Sequence, residues 1–315
     1  MSNPKETILV TGGAGFIGSH VCDALLAQGH EVHVIDDLSG GYEHQVPEGA
    51  TLHRMDIRAA GVKVLWKEHQ FTTMFHLAAQ MDVRRSVADP RFDADINIGG
   101  LLNLMEAGRE HGLKKVIFSS TGGAIYGEPV VAPQPEDHPL QPLSPYGITK
   151  LSSEKYLFFY ENTHGIEFVA LRYGNVYGPR QNPHGEAGVV AIFCERMLAG
   201  QQPVVNGDGL QTRDYVHVKD VVAANMCALS HKGSGIFNVG TSVETNVVQL
   251  FEILRDELGP EMRVVHGPGK PGEQKRSVLS YAHTNATLGW NPSAGVVEGL
   301  TETARWFRDR HASRS

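Results

Sequence analysis

Short runs rich in β-branched and apolar residues alternate with helix-length segments, and this alternation restricts the fold more than any other feature of the chain. The runs are ILVTG (residues 8–12), EVHVID (31–36), TLHRMD (51–56), TMFHLA (73–78), KVIFSS (115–120) and, after a helical stretch over 145–164, IEFVALR (166–172). Strands this apolar, each followed by a crossover segment, predict an α/β, doubly wound parallel sheet with helices on both faces. Ile17, Val21 and Leu25 recur at helical spacing, so the first helix has one apolar stripe to lay on the sheet, and Gly29 ends it. The 315 residues, 41 % hydrophobic and 20 % charged, suffice for one large domain or two unequal ones.

Near Asn175 the rhythm gives way to Gly-rich and Pro-rich loops between shorter elements. The later run GIFNVG (235–240) again has the character of a buried strand, which implies a return to the sheet. The expected division is a dinucleotide-binding unit over residues 1–174 with 216–242, and a smaller, discontinuous substrate domain over 175–215 and 243–315. That second unit should contain helices around 247–258 and 296–308. Six prolines between Glu128 and Pro145 make either a solvated surface loop or a flap beside a site.

TGGAGFIG (11–18) sits where the first strand must turn into a helix. Gly12 permits the tight turn, Gly15 lets the backbone approach a pyrophosphate, and Gly18 allows close helix packing, while the helix N-terminus offers free N–H groups to phosphate. Asp36 ends the next strand, where a carboxylate can bind both ribose hydroxyls. The same carboxylate repels a 2′-phosphate, and the following Asp37, Leu38, Ser39 and Gly40 supply no arginine to receive one, so NAD is expected rather than NADP. Together these make the sheet a Rossmann sheet. Asp56 and Ile57, after the third strand, are placed to hold an adenine by a hydrogen bond and an apolar wall; the competing reading of Asp56 is a helix cap.

SPYGITK places Tyr146 and Lys150 on one face of a helix. A tyrosine whose pKa is ordinarily about 10 is a poor base, but a neighbouring ammonium and a cationic nicotinamide both favour the phenolate. By spacing alone the pair is ordinary. The hydroxyl run Ser119, Ser120, Thr121 at the end of the fifth strand lifts it, because strand carboxyl ends face the ligand crevice in such sheets.

TGGAGFIGSH, Asp36, HLAAQ (76–80), SSTGGAIYG (119–127) and YGITK resemble the extended short-chain dehydrogenase/reductase family, closest to its UDP-glucose 4-epimerase-like members. The resemblance extends through DINIGGLLNLMEA (95–107), RYGNVYGPRQ (172–181), GDGLQTRDYVHVKD (207–220) and PGEQKRSV (271–278). It implies that Tyr146 is the catalytic base, that Lys150 binds the nicotinamide ribose and tunes Tyr146, and that Thr121 or Ser120 orients the sugar hydroxyl. It further implies that NAD is contacted by Phe16, Ile17, Asp37, Ser39, Gly40, Leu77, Ala78, Ala79, Gln80, Asn97, Ser119 and Tyr173. A UDP-sugar would meet Gln80, Thr121, Gly122, Tyr146, Asn175, Val189, Arg213 and Arg276. For Arg213 the plain alternative is an ion pair with Asp214. Ser277 resembles a position where other members carry a bulky tyrosine, and a small side chain there leaves room for a 2-acetamido group.

One departure from the family pattern is the placement of Thr121 five residues before Tyr126, which implies a longer turn through Gly122 and Gly123. Dehydratases resembling this chain carry Asp-Glu after the hydroxyl, and decarboxylating members carry a Glu. Gly122 and Gly123 offer no proton-transferring group, which points to 4-epimerisation by an isomerase that keeps its NAD. The alternatives are a UDP-hexuronate 4-epimerase, a dehydratase, a dehydrogenase, or a non-catalytic NAD-binding regulator.

A net charge of −7 without a run of Lys and Arg argues against nucleic-acid or anionic-membrane partners. The residues before the first strand lack a charged-then-apolar leader, and no segment approaches the length of a membrane span. Three cysteines, far apart and without redox or ligand spacing, fit a reducing cytoplasm. The 16 histidines show no metal-binding spacing and are read as ordinary, so no metal is expected. Leu157, Phe158, Phe159 and Tyr160 give one helix more apolar surface than a sheet requires; either the helix near 92–108 covers it or a second subunit does, and a homodimer is the expectation.

Overall fold

The runs read as strands in the first 175 residues all enter one sheet in the computed structural model, which describes residues 5–183, 188–269 and 274–313. β1 (Thr7–Thr11), β2 (Glu31–Asp36), β3 (Thr51–Arg54), β4 (Thr73–His76), β5 (Lys115–Thr121) and β6 (Glu167–Tyr173) pair in parallel. The chain then leaves through β7 (Asn175–Tyr177), β8 (Val205–Asn206) and β9 (Thr212–His217) and returns as β10 (Gly235–Val239) beside β6. The seven-stranded order is β10-β6-β5-β4-β1-β2-β3. Crossing between β1 and β4 reverses the direction of winding and opens a ligand crevice at the strand carboxyl ends. β4 stops at His76, short of the expected Ala78, because the next two N–H groups turn to Thr11: Leu77 donates to its carbonyl and Ala78 to its hydroxyl.

Helices α1 (Phe16–Ala27), α2 (Gly61–His69), α3 (Val83–Ala88), α4 (Pro90–Ala94), α5 (Gly100–Glu110), α6 (Gly122–Ile125) and α7 (Pro145–His164) connect the first strands, with a π-helical turn over Asp95–Gly99 joining α4 to α5. Val21 and Leu25 of α1 are fully buried with Ile8, Val10 and Val34 on one face of the sheet; Trp66, Leu104, Met105 and Leu157 close the other. α7 begins and ends where the sequence places it, for local reasons. Ser144 accepts from Gly147 N–H as N-cap, Pro145 fits the first turn, and Gly165 closes the helix at φ 69°.

The later helices are α8 (Val189–Leu198), α9 (Val218–Ser230), α10 (Val247–Leu258), α11 (Ala282–Leu288) and α12 (Val296–Ala312). α9 lies on the main sheet, and α11 with Trp290 packs beside it. α8, α10 and α12 enclose a separate core with Tyr177, Val205 and Tyr215. β11 (Glu244–Asn246) joins β9 and β7 in a small sheet, and β12 (His266–Gly267) pairs with β8.

The proline-rich segment is pinned rather than freely solvated. Gln134 is fully buried and bonds to the backbone of Val278 and Ser280, while Glu136 accepts from Asn238 N–H. On α7, Leu157 and Tyr160 are covered by the α4–α5 region, but Phe158 and Phe159 remain 58 % and 48 % exposed. No helix among the described residues is long and apolar enough to cross a membrane.

Candidate active site

The glycine loop is shaped so tightly that backbone atoms exclude a side chain at two of its four glycines. A Cβ on Gly12, at φ 73°, would lie 2.7 Å from Ala78 N, and one on Gly18 would lie 2.1 Å from Gly12 O. The first contact brings Leu77 and Ala78 against the loop, and Ala79 follows them. Gly15 caps α1, so Phe16 and Ile17 occupy its first turn, beside the N–H groups that the helix leaves unpaired. Gly18→Ala must therefore push the loop out of place: we expect a loss of stability of about 1–3 kcal/mol, with dinucleotide content of the purified protein falling in parallel.

Asp36 is oriented by Ala14 N–H at 3.0 Å and Leu38 N–H at 2.9 Å, one to each carboxylate oxygen. Burial pushes its pKa upward against those two hydrogen bonds, and each oxygen retains a lone pair for a ribose hydroxyl. Asp37 accepts from Ser39 N–H and hydroxyl, folding the following turn; Gly40 is open, whereas a Cβ on Gly41 would meet the Ala14 carbonyl at 2.7 Å. This cradle fits a dinucleotide: a tight loop, free helix N–H groups and a carboxylate one strand away. At the far end Asp56 is held by the Arg58 guanidinium, which keeps its carboxyl below the usual range, and Ile57 packs into the core against Gly100.

Beneath the crevice, Lys150 is 3 % exposed and donates to Ser119 O at 2.8 Å. Its ammonium lies 4.8 Å from the centre of the Phe118 ring and 6.0 Å from that of Tyr146. Burial pushes its pKa down to about 8, opposed by the carboxylates of Asp93 and Glu154. A Cβ on Gly147 would meet Ala124 O at 2.4 Å, so the start of α7 is pressed onto α6 and Tyr146 is carried to the end of β5. The turn expected after Thr121 is that short helix.

Ser119, Ser120 and Thr121 are not equivalent. Ser120 donates to the buried Glu154 carboxylate at 2.6 Å, on the opposite side of the strand from Thr121 by the two-residue alternation. This separates the two hydroxyls that the sequence leaves open. A Cβ on Gly123 would stand 3.9 Å from Thr121 Oγ1 and 3.7 Å from Asn175 Oδ1, so Gly123 adjoins both residues. Gly122 is different: its Cα packs on Leu279, with only 2.5 Å for a Cβ.

Gln80 and Asn97 carry side chains already engaged within the protein. Gln80 Nε2 donates to Asp93 and to Asp82 O, and its Oε1 accepts from Asp82 N–H. Asn97, aimed inward by the π-helical turn, donates to Gln80 O, Asp93 and the Thr149 hydroxyl. Tyr173 is buried, and its hydroxyl accepts from Asn225.

Of the residues expected to meet the sugar nucleotide, Asn175 is exposed at the start of β7 and Val189 opens α8. The suggested Arg213–Asp214 ion pair is not what organises this corner. Asp214 is 1 % exposed and accepts from Thr241, Ser242 and Leu279 N–H groups, while Arg213 Nη1 donates to Thr212 O. Arg276 makes a two-point pair with Glu244, at 2.9 and 2.7 Å. Ser277 is 1 % exposed. Of the PGEQKR loop, Pro271, Gly272 and Glu273 lie outside the described residues.

The model of the NAD dependent epimerase/dehydratase family matches residues 8–240. The chain belongs to that family. Among solved structures, this family member is similar to the UDP-glucose 4-epimerase of Thermotoga maritima with UDP-glucose, at 47 % identity and TM-score 0.94 over 96 % of this chain and 99 % of that one. The UDP-glucose 4-epimerase of Thermus thermophilus, in complex with NAD, matches at 44 % identity and TM-score 0.90 over 96 % of this chain and 99 % of its own. A UDP-glucose 4-epimerase of Mycolicibacterium smegmatis is 43 % identical over 308 residues, covering 96 % of this chain and 98 % of its own.

Several supporting residues of this epimerase/dehydratase-family site carry no sequence signal of their own. Asp93 is fully buried, accepts from Gln80, Asn97 and the Thr149 hydroxyl, and acts on Lys150 through its charge. His76 bonds the Thr11 hydroxyl at 2.7 Å, and burial together with the Lys150 charge pushes its pKa down to about 3. It is therefore a neutral prop. The Lys150 environment sets a pH dependence. Below about pH 8 the buried ammonium is charged and its desolvation cost is fully present. Between there and the unfolded value of about 10.4 the native chain sheds its proton first, so stability rises with pH. Relative to Lys150→Met, the wild type should gain on the order of 3 kcal/mol across that window. Denaturant midpoints of both proteins from pH 7 to 11 check this; a constant difference between them would refute it.

Proposed function

We propose that the chain interconverts UDP-hexoses at C4 with NAD held in the glycine-loop cleft. When bound, NAD supplies a reversible hydride acceptor for C4, so no net reductant is consumed. Tyr146 takes the C4 hydroxyl proton and later returns it, and the Lys150 ammonium, fixed on Ser119 O, favours the phenolate that does so. Thr121 orients the sugar hydroxyl, and Ser120 is a positioning residue that completes the Glu154 network. Asp36 receives the adenosine ribose, Asp56 and Ile57 bound the adenine end, and Gln80, Asn97 and Tyr173 support the nicotinamide end. Asn175, Val189, Arg213 and Arg276 form the nucleotide-diphosphate side, where Arg276 has to exchange Glu244 for phosphate.

The observation that carries epimerisation over elimination is Gly123: the position adjoining Thr121 has no acid to expel a hydroxyl from the sugar. Incubating the protein with UDP-glucose, UDP-N-acetylglucosamine and UDP-glucuronic acid, and analysing products, tests the reaction and its specificity together. The expected product is the 4-epimer with a constant nicotinamide absorbance. A dehydrated keto-deoxy sugar, or NAD consumed in proportion to product, overturns the reading. For the hydroxyl assignment, Thr121→Val should lower kcat about 10²-fold, whereas Ser120→Ala should lower stability more than kcat.

The expected second subunit would sit on α7, where Phe158 and Phe159 stay exposed after the α4–α5 region has covered Leu157 and Tyr160. Sedimentation at micromolar protein should give twice the 34.4 kDa chain mass. The substrate domain is proposed as residues 175–215 and 243–315, and the unpaired cysteines suit a cytoplasmic enzyme.

A further inference from the structure

Away from the dinucleotide cleft, three imidazoles converge at the open edge of the main sheet. His33 lies within β2, His53 on the edge strand β3, and His69 is the last residue of α2. His53 pairs in register with Ile35, two residues from His33, so both imidazoles stand on one face of the sheet. The end of α2 brings His69 onto that face. One ring nitrogen from each histidine lies within 4.8 Å of the others. The fully buried Phe71 forms an apolar floor, its ring centre 5.2 Å from that of His33 and 5.6 Å from that of His69.

We infer that His33, His53 and His69 form a binding site for a divalent transition-metal cation of the zinc class. Three imidazoles suit such an ion, and three protein ligands leave a fourth position for water. Tetrahedral coordination with Zn–N of about 2.0 Å separates ligand nitrogens by roughly 3.3 Å. His33 Nδ1 and His53 Nε2, at 2.9 Å, are already near that spacing. His69 ends its helix, where a small adjustment brings its ring inward.

The orientation of His33 supplies an independent argument. Its Nε2 lies 3.1 Å from Glu31 Oε1, and Glu31 is itself held by the Thr7 hydroxyl at 3.0 Å. A carboxylate only accepts, so Nε2 carries the proton and Nδ1 turns its lone pair into the cluster. A carboxylate behind a ligating imidazole is the arrangement that orients metal-bound histidines. Without a cation, His53 Nε2 donates to His33 Nδ1; on binding, that proton moves to the other His53 nitrogen, and both facing lone pairs point at the ion. The site would tie the edge strand β3 to β2 and α2, three residues along β2 from Asp36, which is on the order of 10 Å from the ribose carboxylate.

The test is calorimetric titration of the untagged, chelator-treated chain with Zn²⁺. One ion per chain is expected, with His53→Ala and His69→Ala each weakening binding at least about tenfold and Glu31→Gln about tenfold. Circular dichroism confirms that the variants fold, and Zn²⁺ should raise the Tm of the wild type but not of the two alanine variants. Zinc affinity unchanged by both alanine substitutions, or no stoichiometric uptake by the wild type, would overturn the site.

Discussion

Tyr146→Phe should lower kcat by about 10²–10⁴-fold, the range for loss of a positioned general base, while bound NAD and the folded state remain as in the wild type. The reason lies in what fixes the turn that carries it. Tyr146 is half-buried at the first turn of α7, and that turn is fixed by Ser144, Pro145 and the Gly147–Ala124 contact, none of which involves the phenol oxygen. Lys150 keeps its bond to Ser119 O. The loss should therefore fall on kcat, with KM for the UDP-sugar changed little. Steady-state kinetics with NAD content measured on the same preparation decide it, and turnover within tenfold of wild type would remove Tyr146 from the mechanism.

Arg172→Met should cost about 3–5 kcal/mol of stability, because it leaves a buried carboxylate without its partner. Glu154 and Arg172 have side chains only 0 % and 2 % exposed and meet at 2.9 and 2.6 Å through two parallel hydrogen bonds. Arg172 also donates to the Tyr126 hydroxyl and Glu136 O, so one guanidinium ties β6 to α7, to the segment after α6 and to the proline-rich loop. Burial pushes the Tyr126 phenol up to about 12 despite that contact. For a chain of this size the change corresponds to a fall in Tm of roughly 5–8 °C. Replacing both partners, Glu154→Leu with Arg172→Met, should recover much of the loss, since no buried charge is then left alone. If the double variant is as unstable as the single one, the pair contributes through packing instead.

The pair also bears on catalysis at one remove. Ser120 donates to Glu154, and Glu154 contributes to the charge around Lys150. The network thus turns one hydroxyl of the strand end inward and leaves Thr121 on the opposite side of the strand, beside Gly123. Lys150 is held by a balance: burial disfavours its charge and two inward carboxylates restore part of it. A lysine in that condition is well suited to lowering the cost of a phenolate next to it.

Much of this was legible in the sequence, because it depends on local rules. β-branched runs at crossover spacing dictated the parallel sheet, the Ser-Pro start and Gly165 end dictated α7, and the glycine loop with Asp36 one strand later dictated the dinucleotide cleft. Each of these follows from neighbours in the chain. What the sequence could not decide were partnerships between distant side chains. Ser120 and Thr121 are adjacent hydroxyls of equal chemical promise, separated only when Glu154, 34 residues on, takes one of them. Gln80 and Asn97 carry the chemistry of ligand contacts, but their amides are engaged by Asp93 and Thr149. Arg276 has the chemistry of a phosphate ligand and is paired with Glu244. The three histidines show the limit most clearly. At positions 33, 53 and 69 they have no ligand spacing, and only the pairing of β2 with β3 and the return of α2 across them bring their nitrogens within 4.8 Å. Periodicity and capping act over a few residues, so the sequence alone sets the elements and the cleft; which distant polar groups meet is set by strand register and helix packing, and that only the tertiary structure decides.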